Sequence, residues 1–344
     1  MYLESCLPNT NLSINPFLSK KGVCSPSTFV DNLPTSGPFS EGCLLGPMGN
    51  CLQIISWNGQ AILHHDSHKR SIKKAEVLKL SSKAQVLCFQ EVHGAQSEIE
   101  ACFKDWLKGW FICASAYVDR DGFAKHDTGG CVIAIHPLIA AKATFNSETL
   151  SPGRCVAVSF RFLEKCFTVV NLHNFGIPYS HFNAIKTFLS NLEGAASVAP
   201  DSDFGLLVGD FNFKLEGEQT FKVGIPPAGP VERGNAPVHS GSLVGGWRGV
   251  LNSWVELSQP FPTHFAAQSN SCSRIDRGFA AGPGNLLLRM EVLTHVIGSP
   301  EGFYGKGLSD HAPIAFSFGE KAKSQGYSIP RFVCTHPDFA VNLE

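Results

Sequence analysis

Charged side chains are scarce in this chain of 344 residues: Asp, Glu, Lys and Arg make up 17%, against a usual share of roughly a quarter. The 28 basic and 29 acidic residues leave a net charge of -1. That balance excludes a uniformly basic nucleic-acid coat and an acidic disordered chain, so a nucleic-acid partner would need a local patch. No CxxC pair occurs among the 12 cysteines. A chain of this size can bury a core without disulfide staples, and Cys88, Cys113, Cys131, Cys155 and Cys166 sit in apolar runs, so buried free thiols are expected. No apolar run approaches the roughly 18 residues that a membrane helix needs. Glu4 lies in the first apolar stretch with no basic segment before it, and the first arginine is Arg70, so neither a secretory signal nor an Arg-rich transit peptide is read. Nucleus or cytoplasm is the expected location. Nucleophile-elbow, phosphate-loop and solenoid signatures are also missing, which removes three common enzyme and scaffold classes.

What is present is a hydrophobic share of 43% with 33 glycines and 21 prolines, the composition of a folded core carrying long loops. Residues 1–49 are rich in Ser, Pro, Asn and Gly and read as a loose leader. A regular domain is expected over 50–319, with a C-terminal tail over 320–344. Short apolar runs predict strands at 52–57, 84–90, 111–116, 130–136, 154–160, 167–173, 204–208, 274–279 and 312–318. Apolar residues at helical spacing predict helices over 69–80, 99–107 and 181–192. Residues 214–249 lack a period and read as a long functional loop, an insertion or a disordered segment. Strands outnumber helices, which favours two packed sheets flanked by helices over a regular alternation.

Polar residues gather where these strands end. Asn58 follows IISW, Glu91 follows VLCFQ, His173 and Asn174 follow TVVNL, and Asp210 and Asn212 follow LLVG. Asp276 lies in SRIDR, and Asp310 and His311 precede APIAF. Ends of buried strands hold functional groups rigidly, and six such clusters suggest one shared site. Carboxylates and carboxamides form an oxygen-rich set suited to a hard divalent cation, and histidines beside them suit proton transfer or anion stabilisation. The assembly suits metal-assisted attack of water on a phosphate ester.

The strings WNG, QE, GDFN, SRIDR and SDHAP, in that order, resemble the endonuclease/exonuclease/phosphatase superfamily. The resemblance covers about residues 50–319 and implies a four-layered α/β sandwich with two central, mostly antiparallel sheets flanked by helices. It implies metal-site roles for Glu91, Asn58 and Asp310, with Mg²⁺, or Mn²⁺, as the ion. Asp210 and Asn212 resemble the pair that orients or deprotonates the attacking water. His311 resembles the histidine that contacts the scissile phosphate, and Asp276 the acid that orients it. His173 fits the branch that carries a histidine on this strand, and Asn174 resembles a substrate-contacting asparagine.

One departure stands out. Apurinic endonucleases carry an acid two positions beyond the first asparagine, where this chain has Gln60. His64, His65 and His68 offer a short-spaced zinc reading, but no fourth ligand is spaced to close it, so they are expected on a helix surface. SRIDR, with the tail string SIPRFVCTHPDF, resembles non-LTR retrotransposon endonucleases in particular. Lys69, Arg70, Lys73 and Lys74 cluster on an expected helix and are candidates for substrate contact with a phosphate backbone. The leading expectation is a Mg²⁺-dependent DNA endonuclease, with RNA as an open alternative partner. No stable membrane association and no obligate protein partner is expected. The rivals are a phosphatase or phosphodiesterase acting on a small molecule or lipid headgroup, and a degenerate module kept as a scaffold.

Overall fold

The computed structural model describes residues 52–119, 121–162, 165–198, 204–215, 218, 220–223, 241–282 and 290–320. The leader expected at 1–49, the tail beyond Glu320 and residues 224–240 of the long loop lie outside the described residues. All described residues belong to one unit, Ser40–Glu344.

In chain order the strands are β1 (Leu52–Asn58), β2 (Val86–Gln90), β3 (Phe111–Ser115), β4 (Cys131–Ile135), β5 (Phe145–Ser151), β6 (Cys155–Phe162), β7 (Lys165–His173) and β8 (Phe204–Asp210). They continue with β9 (Phe221–Lys222), β10 (Val255–Glu256), β11 (His264–Ala266), β12 (Ser271–Ser273), β13 (Asp276–Ala281), β14 (Met290–Val296) and β15 (Ile314–Glu320). The helices are α1 (Ser67–Ser81), α2 (Gln96–Trp106), α3 (Pro137–Ala140), α4 (Tyr179–Val198), α5 (Gly241–Val250) and α6 (Pro300–Gly305). One six-stranded sheet runs β14-β15-β1-β2-β4-β3 and the other β10-β13-β8-β7-β6-β5, with a three-stranded sheet β11-β12-β9 beside them.

Each large sheet contains a single parallel pair, β1 with β2 and β7 with β8, and all its other ladders are antiparallel. A parallel pair needs a crossover, and α1 and α4 supply it. Strands β2 and β8 are buried at every position, so they read as unbroken apolar runs rather than alternating ones. Between the sheets, Ile54, Val86, Cys88 and Ile133 meet Val158, Val169, Leu206 and Val208 in one core. On the outer face of the first sheet, Trp57 and Phe89 pack with Val77 and Leu80 of α1 and with Ile99 and Phe103 of α2. The outer face of the second sheet packs Leu172 and Leu207 against Ile185 and Leu189 of α4 and Trp247 of α5. The result is the expected four-layered sandwich with two central sheets.

Below the site, buried polar groups bridge the inter-sheet core through Gln90 and Asn171. Gln90 and Asn171 are both fully buried; Gln90 Nε2 donates to Asn171 Oδ1 at 2.5 Å and to Ser56 Oγ at 3.0 Å. Asn171 Nδ2 in turn donates to the carbonyls of Phe89 and Val132, at 2.8 and 3.0 Å. This clasp ties the ends of β2 and β7 together just below the site.

Two departures from the sequence reading concern local structure. Strands β5, β9, β10, β11, β12 and β14 were not expected: β9 to β12 are two or three residues long, β5 is mostly polar, and β14 interleaves polar with apolar residues, so each gains order from neighbouring strands. Within the stretch read as an aperiodic loop, 241–250 is helical although Gly245, Gly246 and Gly249 are poor helix formers. Tertiary packing overrides propensity there: the Trp247 ring meets Phe182 at 5.2 Å and Phe211 at 5.6 Å between centroids. A Cβ on Gly246 would come within 3.3 Å of the Phe182 ring, so the small residue admits the close approach.

Candidate active site

The carboxyl ends of both parallel pairs point to the same edge of the sandwich, and that edge carries the site. Strand β1 ends at Asn58, β2 leads into Glu91, β7 ends at His173 and β8 ends at Asp210. Register sets the neighbours: Asp210 lies opposite His173 on one side and Asp276 on the other. Gly209, at φ +144°, delivers Asp210; a Cβ there would sit 1.8 Å from the Leu172 carbonyl oxygen, so only glycine fits.

Asp210 is the hub. Its Oδ2 accepts from Asn58 Nδ2 at 2.9 Å and from Asn212 Nδ2 at 3.0 Å, and its Oδ1 accepts from the Asn212 backbone N–H at 2.8 Å. Asn212 reaches this position through a left-handed backbone, φ +54°. Burial pushes the Asp210 carboxyl up to about 6, with Asp276 adding to the shift against the opposing pull of His311. A carboxylate tuned toward neutrality is matched to taking a proton from water.

His311 sits beside it. Its Nδ1 is 2.8 Å from Asp276 Oδ2, and its Nε2 lies 3.8 Å from Asp210 Oδ2 and 3.7 Å from Asp310 Oδ1. Burial opposes charge on this ring, but Asp276, Asp210 and Asp310 outweigh it and raise His311 to about 10. The arginines flanking Asp276 do not compete for it. Arg274 and Arg277 both pair with Glu218 and with Glu256 instead. The loop is anchored by Ser309 Oγ, which donates to the Asn58 carbonyl at 2.7 Å, and by Trp57 Nε1, which donates to the His311 carbonyl at 3.1 Å.

His173, by contrast, is held neutral. Burial, then the Arg154 guanidinium, hold it well below the usual histidine range. Arg154 Nη1 is 2.6 Å from His173 Nδ1, so Nδ1 is the acceptor and the proton of the neutral ring is on Nε2. That N–H faces Glu91 Oε1 at 3.4 Å and Asp210 Oδ2 at 4.0 Å. Asn174 is held by its own donations, from Nδ2 to the Phe211 carbonyl at 2.7 Å and from its backbone N–H to the Asp210 carbonyl at 2.8 Å.

Glu91 and Asp310 complete the acidic set. Glu91 has φ +50°, and burial pushes its carboxyl up, against His311 and Arg154. Burial also works against the Asp310 charge, but His264 and His311 hold that carboxyl below its ordinary range. Gln60 Nε2 donates to Asp310 Oδ2 at 3.3 Å, whereas Asp310 Oδ1 is buried without a hydrogen-bond partner. An unsatisfied carboxylate oxygen beside a second acid and two carboxamides is a donor set that fits a hard divalent cation.

Asn58, Glu91, His173, Asn174, Asp210, Asn212, Asp276, Asp310 and His311 thus share one edge. Of the basic helix, Lys73 does not face outward as expected. Lys73 is buried, and its Nζ donates to the carbonyls of Gly59, at 2.7 Å, and Gln60. Arg70 donates to the carbonyls of His64 and Leu63 and pairs with Glu98, and Lys74 pairs with Asp105. Lys69 alone of the four is exposed. The loop after β1 closes over Lys73, which clamps it. His64 and His65 precede α1 rather than riding on it, with stacked rings 4.2 Å apart. Sequence reasoning missed Arg154, His264 and the Gln90–Asn171 clasp. No local signal marks these residues, because their partners arrive from distant strands.

The profile of the Endonuclease/Exonuclease/phosphatase family matches residues 55–311. Among solved structures, the AP endonuclease LMAP from Leishmania major is 14% identical over 79% of this chain and 88% of its own, with a TM-score of 0.57. The endonuclease domain of TRAS1, a telomere-specific non-LTR retrotransposon, is 16% identical over 79% of this chain and 100% of its own, with a TM-score of 0.48. ANGEL2, a 2′,3′-cyclic phosphatase, is 15% identical over 78% and 95%, with a TM-score of 0.49. No curated protein is significantly similar in sequence.

Proposed function

The chain belongs to the endonuclease/exonuclease/phosphatase family, and from that premise we propose that it is a divalent-metal-dependent phosphodiester hydrolase acting on DNA. The observation that carries the hydrolytic reading is the pairing of a buried base and a buried acid. Asp210 is tuned to about 6, and 3.8 Å from it His311 is held as an imidazolium by Asp276.

Glu91 and Asp310 would hold the ion, Mg²⁺ or Mn²⁺, with Asn58 in support. A bound divalent cation supplies Lewis-acid polarisation of a phosphoryl oxygen. Asn212 orients a water molecule toward phosphorus, and Asp210 takes its proton. Neutral His173 directs its Nε2 proton toward the same space and donates to a non-bridging oxygen. The His311 imidazolium donates from Nε2 to a phosphoryl oxygen as negative charge builds there; as the water oxygen bonds to phosphorus, the P–O bond on the opposite side breaks and the departing oxygen leaves with its electron pair and takes a proton from solvent. Asp276 keeps the His311 ring oriented, and Arg154 fixes the His173 tautomer.

Nucleic acid is favoured by the surface next to His173. Phe175 and Tyr179 are 58% and 80% exposed, and Tyr179 lines a cavity of about 490 Å³ with Asn174, Asn183 and Lys186. Exposed rings with a cation beside a phosphodiester site suit stacked bases and their backbone. A small-molecule or lipid phosphoester is the second reading, favoured by the burial of Lys73, which withdraws one cation from a backbone-binding surface.

The test is a panel of labelled duplex, abasic duplex, single-stranded DNA, RNA, inositol phosphate and sphingomyelin, each with Mg²⁺ and with chelator. Metal-dependent scission of a DNA substrate is expected. Turnover of only inositol phosphate or sphingomyelin would overturn the DNA reading and keep the hydrolytic one.

A further inference from the structure

One ligand atom from each of His264, Asp310 and His311 lies within 4.8 Å of the other two. His264 belongs to the short strand β11 and entered none of the sequence motifs. Its position is fixed by backbone: His264 bridges to His311, the Phe265 N–H donates to the Asp310 carbonyl at 2.8 Å, and the Ala312 N–H donates to the Thr263 carbonyl at 2.8 Å. The ring lies 4.7 Å from that of His311, and its Nε2 is 3.6 Å from Asp310 Oδ2. About a fifth of its side chain remains accessible, at 22%.

We propose that His264 is a nitrogen ligand of the divalent cation held at Asp310, so that this site favours a first-row transition cation over Mg²⁺. The inference rests on the metal-dependent reading above and specifies the coordination. Nitrogen and oxygen atoms bound to one ion at about 2.1 Å stand roughly 3.0–3.5 Å apart, and the His264–Asp310 separation of 3.6 Å needs little adjustment. Asp310 Oδ1, buried and without a hydrogen-bond partner, leaves this carboxylate with unused donor capacity toward an ion. His311 is committed through Nδ1 to Asp276 and keeps its other nitrogen for the substrate, whereas His264 makes no such second commitment in the proposed chemistry. An imidazole in place of a further oxygen lowers the relative affinity for hard Mg²⁺ and raises it along the first transition row.

The experiment is pulsed electron spin resonance on the full chain loaded with Mn²⁺ alone, with the free-ion signal at room temperature counting occupancy. Bound Mn²⁺ should show deep ¹⁴N modulation, which ¹⁵N-histidine labelling of the wild type converts to the ¹⁵N pattern. His264→Gln should lose that modulation and weaken Mn²⁺ by about tenfold or more, while Mg²⁺ affinity changes much less. Bound Mn²⁺ without nitrogen modulation, or modulation undiminished in His264→Gln, would overturn the assignment and leave the metal-dependent reading standing. Wild-type protein that binds no Mn²⁺ would overturn both.

Discussion

Asp276→Asn preserves side-chain size and removes a negative charge 2.8 Å from His311 Nδ1. Burial disfavours the imidazolium, and Asp276, ahead of Asp210 and Asp310, reverses that balance and raises the ring to about 10. Losing one charge-assisted hydrogen bond removes about 1.5–3 kcal/mol, which is roughly ten- to hundredfold in turnover when His311 acts as the cation. The pH dependence in metal-free protein has a definite sign. A histidine whose folded pKa lies above its unfolded value of about 6.5 adds stability that is complete below that value. For His311 this contribution is lost as pH rises through about 10. The deficit of Asp276→Asn relative to wild type should therefore be largest at about pH 6.5 and shrink steadily as pH rises toward about 10. Lys73, which burial lowers to about 8, titrates in the same window, but it is common to both proteins and cancels in the difference. Urea unfolding of both proteins in chelator, at neutral and alkaline pH, measures the deficit. A deficit independent of pH would refute the placement of the cation on His311, and unchanged turnover would refute its use.

Three further outcomes are expected. Glu91→Gln should weaken Mg²⁺ or Mn²⁺ binding by about tenfold or more in calorimetry, and unchanged affinity in the folded variant would remove Glu91 from the ligand set. Lys73→Ala should destabilise by about 1–3 kcal/mol, because two loop carbonyls lose a buried donor, whereas Lys69→Ala should stay within about 0.5 kcal/mol. Denaturant midpoints for the pair check this, and equal effects would contradict the clamp. Asn171→Leu removes the acceptor of one Gln90 N–H and the donor shared by the Phe89 and Val132 carbonyls, and should cost about 1–3 kcal/mol; an unchanged midpoint would show that the clasp does not bind the sheets.

The central strands were legible because burial on both faces writes them as unbroken apolar runs, as in VLCFQ and FGLLVGD. Three-residue strands such as HFA and SCS carry no comparable period, and α5 is held by Trp247 against its own glycines. The site was legible for a related reason: a polar side chain ending an apolar run is visible without knowing its partners. Arg154 and His264 were not, since each is defined by a neighbour on another strand, His173 for the first and Asp310 for the second. The basic cluster is only partly what its spacing suggests: its four cations share one face of the helix, but the loop after β1 covers Lys73 and leaves Lys69 exposed, and a distant loop leaves no local signal in the sequence.

The central claim is that Asp210 accepts the proton from water at a metal-dependent phosphodiester site, and single-turnover hydrolysis of a labelled DNA phosphodiester tests it most directly. Wild type and Asp210→Asn would be compared with Mn²⁺ and with chelator, binding of the substrate being followed in parallel. Turnover is expected from the wild type with metal only, with a loss of about 10²–10⁴-fold in Asp210→Asn and substrate binding retained. Undiminished hydrolysis by the variant, or by the wild type in chelator, would contradict it.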